Sequence, residues 1–309
     1  MAEDVVIGVD IGGTNLRIGV VDSSLTLHHR KIDSSQAVFT QDHPVEVLSE
    51  LLMKYMSDSV PDGQHVRAIA IGFPATVDAK HGRVIATTNI TNMNDLDVVA
   101  GLSGLGVPIF VDRDANMQLR HDMWRMGLDH TSKVVFGYYL GTGIGGAFSI
   151  YGNILSGKHG VACELGHIPL PGVDAVCGCG NVGCVEAVGS GRALETALEK
   201  AHPGYPIHNV FLTCRDEGFV REWLNFAAVA MATGVNIIDP DEIIVGGGVV
   251  QTPGFPRDEF LKDVYRMVRK PLPADDMSFH YPETNPFNGV IGAGILAFQA
   301  IGIRTKGTI

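Results

Sequence analysis

Apolar runs separated by polar, glycine-containing turns recur along the chain. An apolar run at residues 5–9 predicts a buried strand, and alternating apolar residues over 16–20 predict a half-buried one. The same two patterns return at residues 134–140 and 147–150, and a third buried run at 243–245 ends in consecutive glycines. Two strand hairpins of the same design predict two related α/β domains.

Helical spacing of apolar residues appears between and after these strands. Helix-like patterns cover residues 45–56 and 117–124. A run of small and apolar residues at 290–300 predicts a buried helix that returns to cover the first domain.

The boundary between the two domains is expected where a strand gives way to a helix. An apolar strand at residues 107–111 is followed by the segment 112–116, where we place the hinge. We therefore predict a small α/β domain at residues 1–112, completed by a C-terminal helix at about 290–309, and a large α/β domain at 113–289.

The first glycine turn places a carboxylate between two strands. Residues 10–19 read Asp-Ile-Gly-Gly-Thr-Asn-Leu-Arg-Ile-Gly. A dinucleotide-binding loop or a Walker loop would instead lead from a strand into a helix. Glycine N–H groups can approach phosphate oxygens, Thr14 can add a hydroxyl, and Asp10 can hold Mg²⁺ or its water shell. An ordinary hairpin turn is the alternative interpretation.

Two more strand-to-glycine transitions favour the phosphate interpretation. Residues 141–146 read Gly-Thr-Gly-Ile-Gly-Gly and again lie between two predicted strands. Three glycines at 246–248 follow the third buried run. Three such loops in one chain indicate several backbones that converge on one ligand, for which a nucleoside triphosphate is the simplest candidate.

Composition narrows the class of protein. The chain has 309 residues, of which 45% are hydrophobic and 18% charged, so it can bury a substantial core. A formal net charge of −11 without a cluster of Lys and Arg argues against nucleic-acid binding. No apolar run reaches membrane-spanning length, and the acidic start at residues 1–4 is unlike a secretory signal, so we expect a cytoplasmic protein with small-molecule partners.

Three of the five cysteines predict a zinc site. Cys177, Cys179 and Cys184 lie in the string Cys-Gly-Cys-Gly-Asn-Val-Gly-Cys, and His167 stands ten positions before the first of them. Three thiolates and one imidazole complete a tetrahedral Zn²⁺ site, although the Cys-x-Cys step is tighter than in common zinc fingers. A disulfide or unligated buried thiols are the alternatives. We interpret the remaining cysteines, at positions 163 and 214, as unligated thiols.

Carboxylates on both sides of the cysteine cluster suggest a sugar site. Glu164 and His167 both precede the cysteines, and Glu186 follows Cys184 by two residues. Zinc binding would draw these side chains together, and they could accept hydrogen bonds from a polyol. Solvated surface charges are the alternative for the two glutamates.

A candidate catalytic base lies at the predicted hinge. Asp112, Arg113 and Asp114 follow a strand of buried character, and a carboxylate there can accept the proton of an attacking hydroxyl during phosphoryl transfer. We assign this role to Asp114. The alternative is helix capping, and we expect one of the two aspartates to cap the following helix.

These motifs together resemble the sugar kinases of the ROK group (repressors, open reading frames, kinases). The similarity runs from Asp10 through the Gly-Thr-Gly loop, the Glu-x-Gly-His step, the Cys-x-Cys-Gly-x-x-Gly-Cys-x-Glu block and the Gly-Gly-Gly loop. The resemblance implies a two-domain actin-like ATPase (ribonuclease H-like) fold with an interdomain cleft. It also implies transfer of the γ-phosphoryl of ATP to the 6-hydroxyl of an aldohexose.

The resemblance further implies a role for individual residues. Asp114 is then the catalytic base. The residues implied to bind ATP and Mg²⁺ are Asp10, Gly12, Gly13, Thr14, Asn15, Arg17, Thr142, Gly143, Gly247 and Gly248. Those implied to bind the sugar are Ala75, Thr76, Asn89, Arg113, Asp114, Glu164, His167 and Glu186, and those implied to bind structural Zn²⁺ are His167, Cys177, Cys179 and Cys184.

One departure from the glucose kinases of the group bears on the substrate. Those enzymes carry Asn before the catalytic aspartate, whereas this chain has Arg113. The run at 112–119, with Phe-Pro-Ala at 73–75 and Phe-Pro-Arg at 255–257, is similar to bacterial D-allose kinases. We therefore expect D-allose as the hexose, with glucokinase and N-acetylmannosamine kinase activities as alternatives. The guanidinium of Arg113 presents several hydrogen-bond donors in a fixed planar fork. Such a group suits a hexose in which one hydroxyl is inverted relative to glucose.

The same group also contains sugar-sensing repressors. Only nine residues precede Asp10, which we expect to be too few for a DNA-binding segment, and the net charge is unfavourable. A sugar-binding sensor without catalytic activity is a further alternative. The presence of both Asp10 and Asp114 argues against it. The resemblance implies a homodimer.

Overall fold

The computed structural model describes residues 3–87, 90, 92–283 and 285–305. The strands are β1 (Glu3–Ile11), β2 (Asn15–Asp22), β3 (Leu27–Ser34), β4 (Gln64–Phe73), β5 (Thr76–Asp78), β6 (Arg83–Ala86), β7 (Leu96–Asp97), β8 (Ile109–Arg113), β9 (Val134–Leu140), β10 (Ile144–Ile150), β11 (Asn153–Ile154), β12 (Glu242–Gly246) and β13 (Phe279–His280).

The α-helices are α1 (Ser35–Phe39), α2 (Pro44–Ser59), α3 (Val98–Gly101), α4 (Asp114–Arg125), α5 (Glu186–Gly189), α6 (Gly191–Ala201), α7 (Val210–Thr213), α8 (Gly218–Ile238), α9 (Arg257–Met267) and α10 (Asn288–Ala300). Short 3-10 helices add Ser103–Leu105, Leu165–His167, Ile207–Asn209 and Ala274–Asp276. The helices predicted at 45–56, 117–124 and 290–300 are confirmed as α2, α4 and α10.

The chain forms two compact units. The first unit comprises Met1–Thr131, Ser156–Ala162 and Asn285–Ile309, and the second comprises Ser132–Leu155 and Cys163–Thr284. The division falls after α4 rather than before it, because α4 packs against α10 and β4 of the first unit. The hinge at residues 112–116 stays a prediction.

The first unit is built on a mixed five-stranded sheet in the order β3-β2-β1-β4-β8. Strand β1 is antiparallel to β2 and parallel to β4, and β4 is parallel to β8. Apolar residues of β1 alternate between the two faces, so that Val5 and Ile7 pack in the core with Leu48 and Leu52 of α2, whereas Val6 packs with Phe298 of α10. Helices therefore cover both faces of the sheet.

Helix α10 packs closely against strand β1 and helix α4 at positions occupied by glycine. A Cβ atom added to Gly8 of β1 would lie 2.0 Å from the carbonyl oxygen of Val290, and one added to Gly292 would lie 1.9 Å from that of Met117. The backbone of α10 can approach β1 and α4 this closely only where no side chain lies between them. A smaller sheet, β5-β6-β7, belongs to the same unit.

The second unit repeats the design. Its sheet has the order β11-β10-β9-β12-β13, in which β9 is antiparallel to β10 and parallel to β12. The long helix α8 packs on this sheet, where the hydroxyl of Tyr138 donates to the carbonyl oxygen of Ala227 at 2.9 Å. In each unit, therefore, the first strand forms an antiparallel hairpin with the second and pairs in parallel with a later strand. Among the residues described, no helix combines the length and hydropathy needed to cross a bilayer.

Candidate active site

Candidate acidic residues of the first unit lie at the carboxyl ends of β1 and β8, the two strands that flank β4 in one parallel set. Asp10 of β1 is paired with Gly72 of β4, and Gly72 is paired with Asp112 of β8. Asp114 begins helix α4 directly after β8. The register therefore aligns the proposed magnesium ligand and the segment of the proposed base on one edge of one sheet, where open α/β sheets bind their ligands.

Asp10 is largely buried beside a cation and a helix end. Its carboxylate lies 3.6 Å from the Arg17 guanidinium, across the β1–β2 hairpin, and its side chain is only 17% exposed. Burial raises the pKa of Asp10 to about 6, against the opposing attraction of Arg17. A Cβ atom on Gly289, in the first turn of α10, would lie 2.6 Å from the Asp10 carboxyl carbon.

This position fits a bound Mg²⁺ and phosphate. The Nε atom of Arg17 is buried and has no hydrogen-bond partner among the described residues. An anion in the turn would pair with Arg17, and Mg²⁺ would stabilise the ionised form of Asp10 that burial disfavours.

The first glycine turn is open to solvent. The N–H of Gly12 donates to the carbonyl oxygen of Asn15 at 2.8 Å, which closes the turn. Gly13 and Thr14 are exposed, and a Cβ atom on Gly13 would meet nothing within 4 Å. A phosphate could therefore approach the backbone at Gly13.

The two aspartates after β8 differ in environment. Asp112 is 7% exposed, and its Oδ1 accepts from the Arg113 N–H and from the Asn116 side-chain amide. Asp114 is half-buried, and its Oδ1 accepts from the Ala115 N–H at 2.7 Å. The N-cap position of α4 is Arg113, with no side-chain capping bond, so neither aspartate occupies the N-cap, although Asp114 lies in the first turn and accepts from the N–H of Ala115 there. Asp112 instead ties the strand end to the helix.

The sequence did not single out the partners that hold Asp112. Asn116 and Arg120 lie on α4, and Arg120 is 3.5 Å from Asp112 Oδ2. Their spacing of four residues was the available signal, because residues i and i+4 share one helix face and can reach the same strand end.

The proposed sugar ligands of the first unit lie at the ends of β4 and β8. Arg113 is 5% exposed, and its guanidinium donates to the carbonyl oxygen of Ala162 at 2.6 Å. Thr76 begins β5, and Ala75 packs at the edge of the core beneath it. Asn89 lies outside the described residues.

In the second unit, two glycine loops lie side by side. Tyr139 of β9 is paired with Gly246 of β12, so the turn at 141–143 and the loop at 247–248 leave neighbouring parallel strands. Gly247 has a φ of +97°, and a Cβ atom there would lie 2.4 Å from the carbonyl oxygen of Leu140. The carbonyl of Thr142 accepts from the Arg192 N–H at 3.1 Å, near the start of α6.

Glu186 is fixed against the first of these loops. Its Oε2 accepts from the Ile144 N–H at 2.8 Å. A Cβ atom on Gly143 would lie 2.5 Å from that oxygen, and one on Gly166 would lie 3.1 Å from it. Glu186 therefore sits between the glycine turn and the 3-10 helix that carries His167. Glu164 and His167 are also neighbours, with 3.6 Å between carboxylate and ring.

The four predicted zinc ligands converge. The donor atoms of His167, Cys177, Cys179 and Cys184 all lie within 4.8 Å of one another. His167 Nδ1 is 3.6 Å from Cys177 Sγ, and the sulfurs of Cys179 and Cys184 are 3.7 Å apart. Tetrahedral zinc with ordinary bond lengths separates two sulfurs by about 3.8 Å, and a sulfur and a nitrogen by about 3.6 Å.

The surroundings of the thiols also suit a cation. Burial raises the pKa of the Cys177 and Cys184 thiols, so that their thiolates need a nearby positive charge. Cys179 is exposed, and a backbone N–H of Asn181 lowers its pKa. The residues present therefore fit Zn²⁺ held through His167 Nδ1 and three sulfurs.

Comparison with protein families matches residues 6–300 to the ROK family. The chain belongs to the ROK family. A glucokinase of Halalkalibacterium halodurans is 28% identical over 97% of each chain. An N-acetyl-D-glucosamine kinase of Vibrio cholerae is 30% identical over 78% of this chain and 83% of the relative.

A solved structure of a ROK family member supports the same placement. The ROK family glucokinase of Streptomyces griseus, crystallised with glucose and AMPPNP, has a TM-score of 0.78 at 27% identity, covering 96% of this chain and 99% of that one. The fold of this ROK family member is the two-domain actin-like ATPase fold, which confirms the fold class expected from the sequence.

Proposed function

We propose that this ROK family member is an ATP-dependent hexose kinase that transfers the γ-phosphoryl of ATP to the 6-hydroxyl of an aldohexose. The observation that carries the proposal is the row formed by Asp10, Gly72 and Asp112, which brings Asp10 and the start of α4 to one sheet edge. A kinase needs a carboxylate for the metal and a separate carboxylate for the hydroxyl proton. The glucokinase and N-acetylglucosamine kinase relatives support the same class of reaction.

In this proposal the base is Asp114. Its half-buried carboxylate, at the first position of α4, would orient the 6-hydroxyl and accept its proton. Asp112 positions this segment through its bonds to the Arg113 N–H and to Asn116.

The glycine turns would bind the nucleotide. Asp10 would hold Mg²⁺, which neutralises charge on the transferring phosphoryl group when it is bound. Gly12, Gly13, Thr14, Asn15 and Arg17 of the first unit would contact phosphates, as would Thr142, Gly143, Gly247 and Gly248 of the second unit. Arg17 is the one charged donor of this set.

The sugar would be held by Glu164, His167 and Glu186 together with Ala75, Thr76, Asn89 and Arg113. Zn²⁺ on His167 Nδ1 and the three thiolates would leave Nε2 free of the metal, and its position near Glu164 fixes the ring direction. Zinc in this proposal is structural and takes no part in the transfer.

We propose D-allose as the preferred hexose. Arg113 in place of the Asn common in glucose kinases, and the similarity over 112–119, support this choice. The curated relatives favour glucose or N-acetylglucosamine as the second candidate. Coupled assays of kcat/KM for D-allose, glucose, mannose, N-acetylmannosamine and N-acetylglucosamine decide between them, and the highest value is expected for D-allose.

Replacing Asp114 tests the chemistry. In Asp114→Asn we expect kcat to fall by about 10²–10⁴, because the general base is lost, while the sugar Kd measured by calorimetry stays close to that of the wild type. Asp62→Asn, in an exposed turn of the same unit, is the matched control and should retain full turnover. Normal turnover in Asp114→Asn would remove the assigned base.

A further inference from the structure

Three helix ends in the second unit bring together a histidine, a cysteine and a glutamate that the proposed kinase reaction does not use. His202 directly follows α6, Cys214 directly follows α7, and Glu217 directly precedes α8. Backbone bonds fix each position: the His202 N–H donates to Leu198 at 2.7 Å, the Cys214 N–H to Val210 at 2.9 Å, and the Glu217 N–H to Cys214 at 2.9 Å.

The donor atoms of these side chains lie within ligand distance of a single ion. A ring nitrogen of His202, the sulfur of Cys214 and a carboxylate oxygen of Glu217 are all within 4.8 Å of one another. His202 Nε2 is 2.9 Å from each carboxylate oxygen of Glu217. An ordinary surface ion pair explains this contact, but it gives no reason for a thiol beside it.

The three side chains differ in their exposure to solvent. Cys214 is 4% exposed, whereas the side chains of His202 and Glu217 are each 41% exposed. The buried sulfur lies at the base of the cluster, and solvent can reach the two other ligands. This arrangement matches a tetrahedral site with three protein ligands and a water in the fourth position.

A second layer of contacts orients the ligands. The hydroxyl of Thr213 lies 3.5 Å from Cys214 Sγ and 2.9 Å from the hydroxyl of Tyr205. The rings of Tyr205 and Phe219 contact the His202 ring, with centroids 6.2 Å and 6.3 Å away. Metal-binding residues depend on such neighbours, because these fix the direction of the ligand atoms before the ion arrives.

We infer that His202, Cys214 and Glu217 form a second metal site, separate from the four-ligand cluster at His167, and that it takes a borderline divalent cation of the Zn²⁺ type. Imidazole, thiolate and carboxylate together suit zinc, whereas Mg²⁺ and Ca²⁺ require oxygen ligands. The ion would link the ends of α6, α7 and α8. The inference does not rest on the proposed kinase function.

Zinc stoichiometry tests the inference. The purified chain is equilibrated with a small excess of Zn²⁺ near pH 7.5, passed through a desalting column, and analysed for bound metal. We expect about two zinc ions per chain in the wild type and about one in His202→Gln or Cys214→Ser. The matched controls are His208→Gln, in a nearby 3-10 helix, and Asp216→Asn, next to Glu217, and both should keep about two.

A complementary variant identifies which ion is lost. Cys177→Ser should lose the ion of the His167 cluster while keeping the one at His202, and the double variant with His202→Gln should bind neither. Far-UV circular dichroism reports whether Cys214→Ser folds. If that variant does not fold, His202→Gln alone tests the site, because the side chain of His202 is partly exposed and its replacement disturbs the core less. A zinc content that is the same in the wild type, His202→Gln and Cys214→Ser would overturn the inference.

Discussion

Glu186 shows how single glycines position a charged side chain. Its carboxylate accepts from the Ile144 N–H at 2.8 Å, and the space for it exists because Gly143 and Gly166 have no Cβ atoms. A residue with a side chain at either position would push the carboxylate away from this donor. The glycine turn at 141–143 therefore shapes the proposed sugar site as well as the proposed nucleotide site.

Gly143→Ala tests this arrangement. The new methyl group would lie 2.5 Å from Glu186 Oε2, so the carboxylate must move. Because misplacement of a binding group by about 1 Å can cost up to about 10²-fold, we expect kcat/KM for the sugar to fall by roughly 10–100-fold. Gly218→Ala, at the open first position of α8, is the matched control and should leave kcat/KM unchanged. An unchanged value in Gly143→Ala would contradict the role of Glu186.

Asp10 is a residue whose ionised form is unfavourable in the free protein. Its folded-state pKa of about 6 exceeds the ordinary aspartate pKa of 3.8, so the folded chain binds the proton more tightly than the unfolded chain does. Stability therefore falls as the pH rises from about 4 to about 6, by up to about 3 kcal/mol. The carboxylate proposed to bind Mg²⁺ would then lower the folding stability of the free protein at neutral pH.

Asp10→Asn should accordingly be more stable than the wild type at pH 7 when nucleotide is absent. The expected gain is up to about 3 kcal/mol and should disappear near pH 4, where the wild-type carboxyl is already protonated. Urea unfolding at both pH values measures it. The same variant should lose Mg²⁺-dependent ATP binding in calorimetry. Lower stability at pH 7 with intact Mg²⁺–ATP binding would show that Asp10 is an ordinary structural carboxylate.

At the scale of elements, one ion-pair network joins three strands of the second sheet. Glu242 begins β12, Lys133 immediately precedes β9, and His280 ends β13. The Glu242 carboxylate contacts the Lys133 ammonium and lies 2.6 Å from His280 Nε2. Burial opposes ionisation here, but the hydrogen bonds from Lys133 and His280 outweigh it and lower the pKa of Glu242 to about 2.

This network should contribute stability that depends on pH. Because the folded-state pKa of Glu242 is below its unfolded value, the contribution is present above about pH 4.5 and is lost as the pH falls towards 2. Glu242→Gln should destabilise the chain by roughly 1–3 kcal/mol at pH 7 and by much less near pH 2.5. Glu195→Gln, on the exposed face of α6, is the control in the same urea titration. Equal destabilisation at both pH values would indicate lost packing instead.

At the scale of the whole molecule, the two units repeat one topology and divide the proposed substrate ligands between them. Asp10, Arg113 and Asp114 belong to the first unit, and Glu164 and Glu186 belong to the second. The proposed reaction therefore requires residues of both units. The homodimer expected from the sequence stays a prediction.

Such a division predicts slow ATP hydrolysis when no sugar is present. Without the sugar, the ligands of the two units have no common substrate to organise them, and water cannot replace a positioned hydroxyl. We expect hydrolysis without sugar to be at least about 10³-fold slower than phosphoryl transfer with it, by analogy with other positioned groups. Phosphate release measured with and without D-allose tests this. Comparable rates would contradict a sugar-organised reaction.

The sequence alone determined the parts of the protein that are encoded locally. The β1–β2 and β9–β10 hairpins follow from alternating apolar residues around a glycine turn, which lie within one stretch of chain. The cluster at Cys177 is also largely local, because its cysteines fall within eight residues. Patterns of this kind specify both a local conformation and its chemistry.

The tertiary structure decided which distant residues meet. The parallel register of β1, β4 and β8 aligns Asp10 with Asp112, and the packing of three helix ends brings His202, Cys214 and Glu217 together. The sequence predicts an unligated thiol at Cys214 because no metal-ligand spacing in the sequence includes it. Strand register and helix packing depend on burial of the whole core, so no local window of sequence contains them.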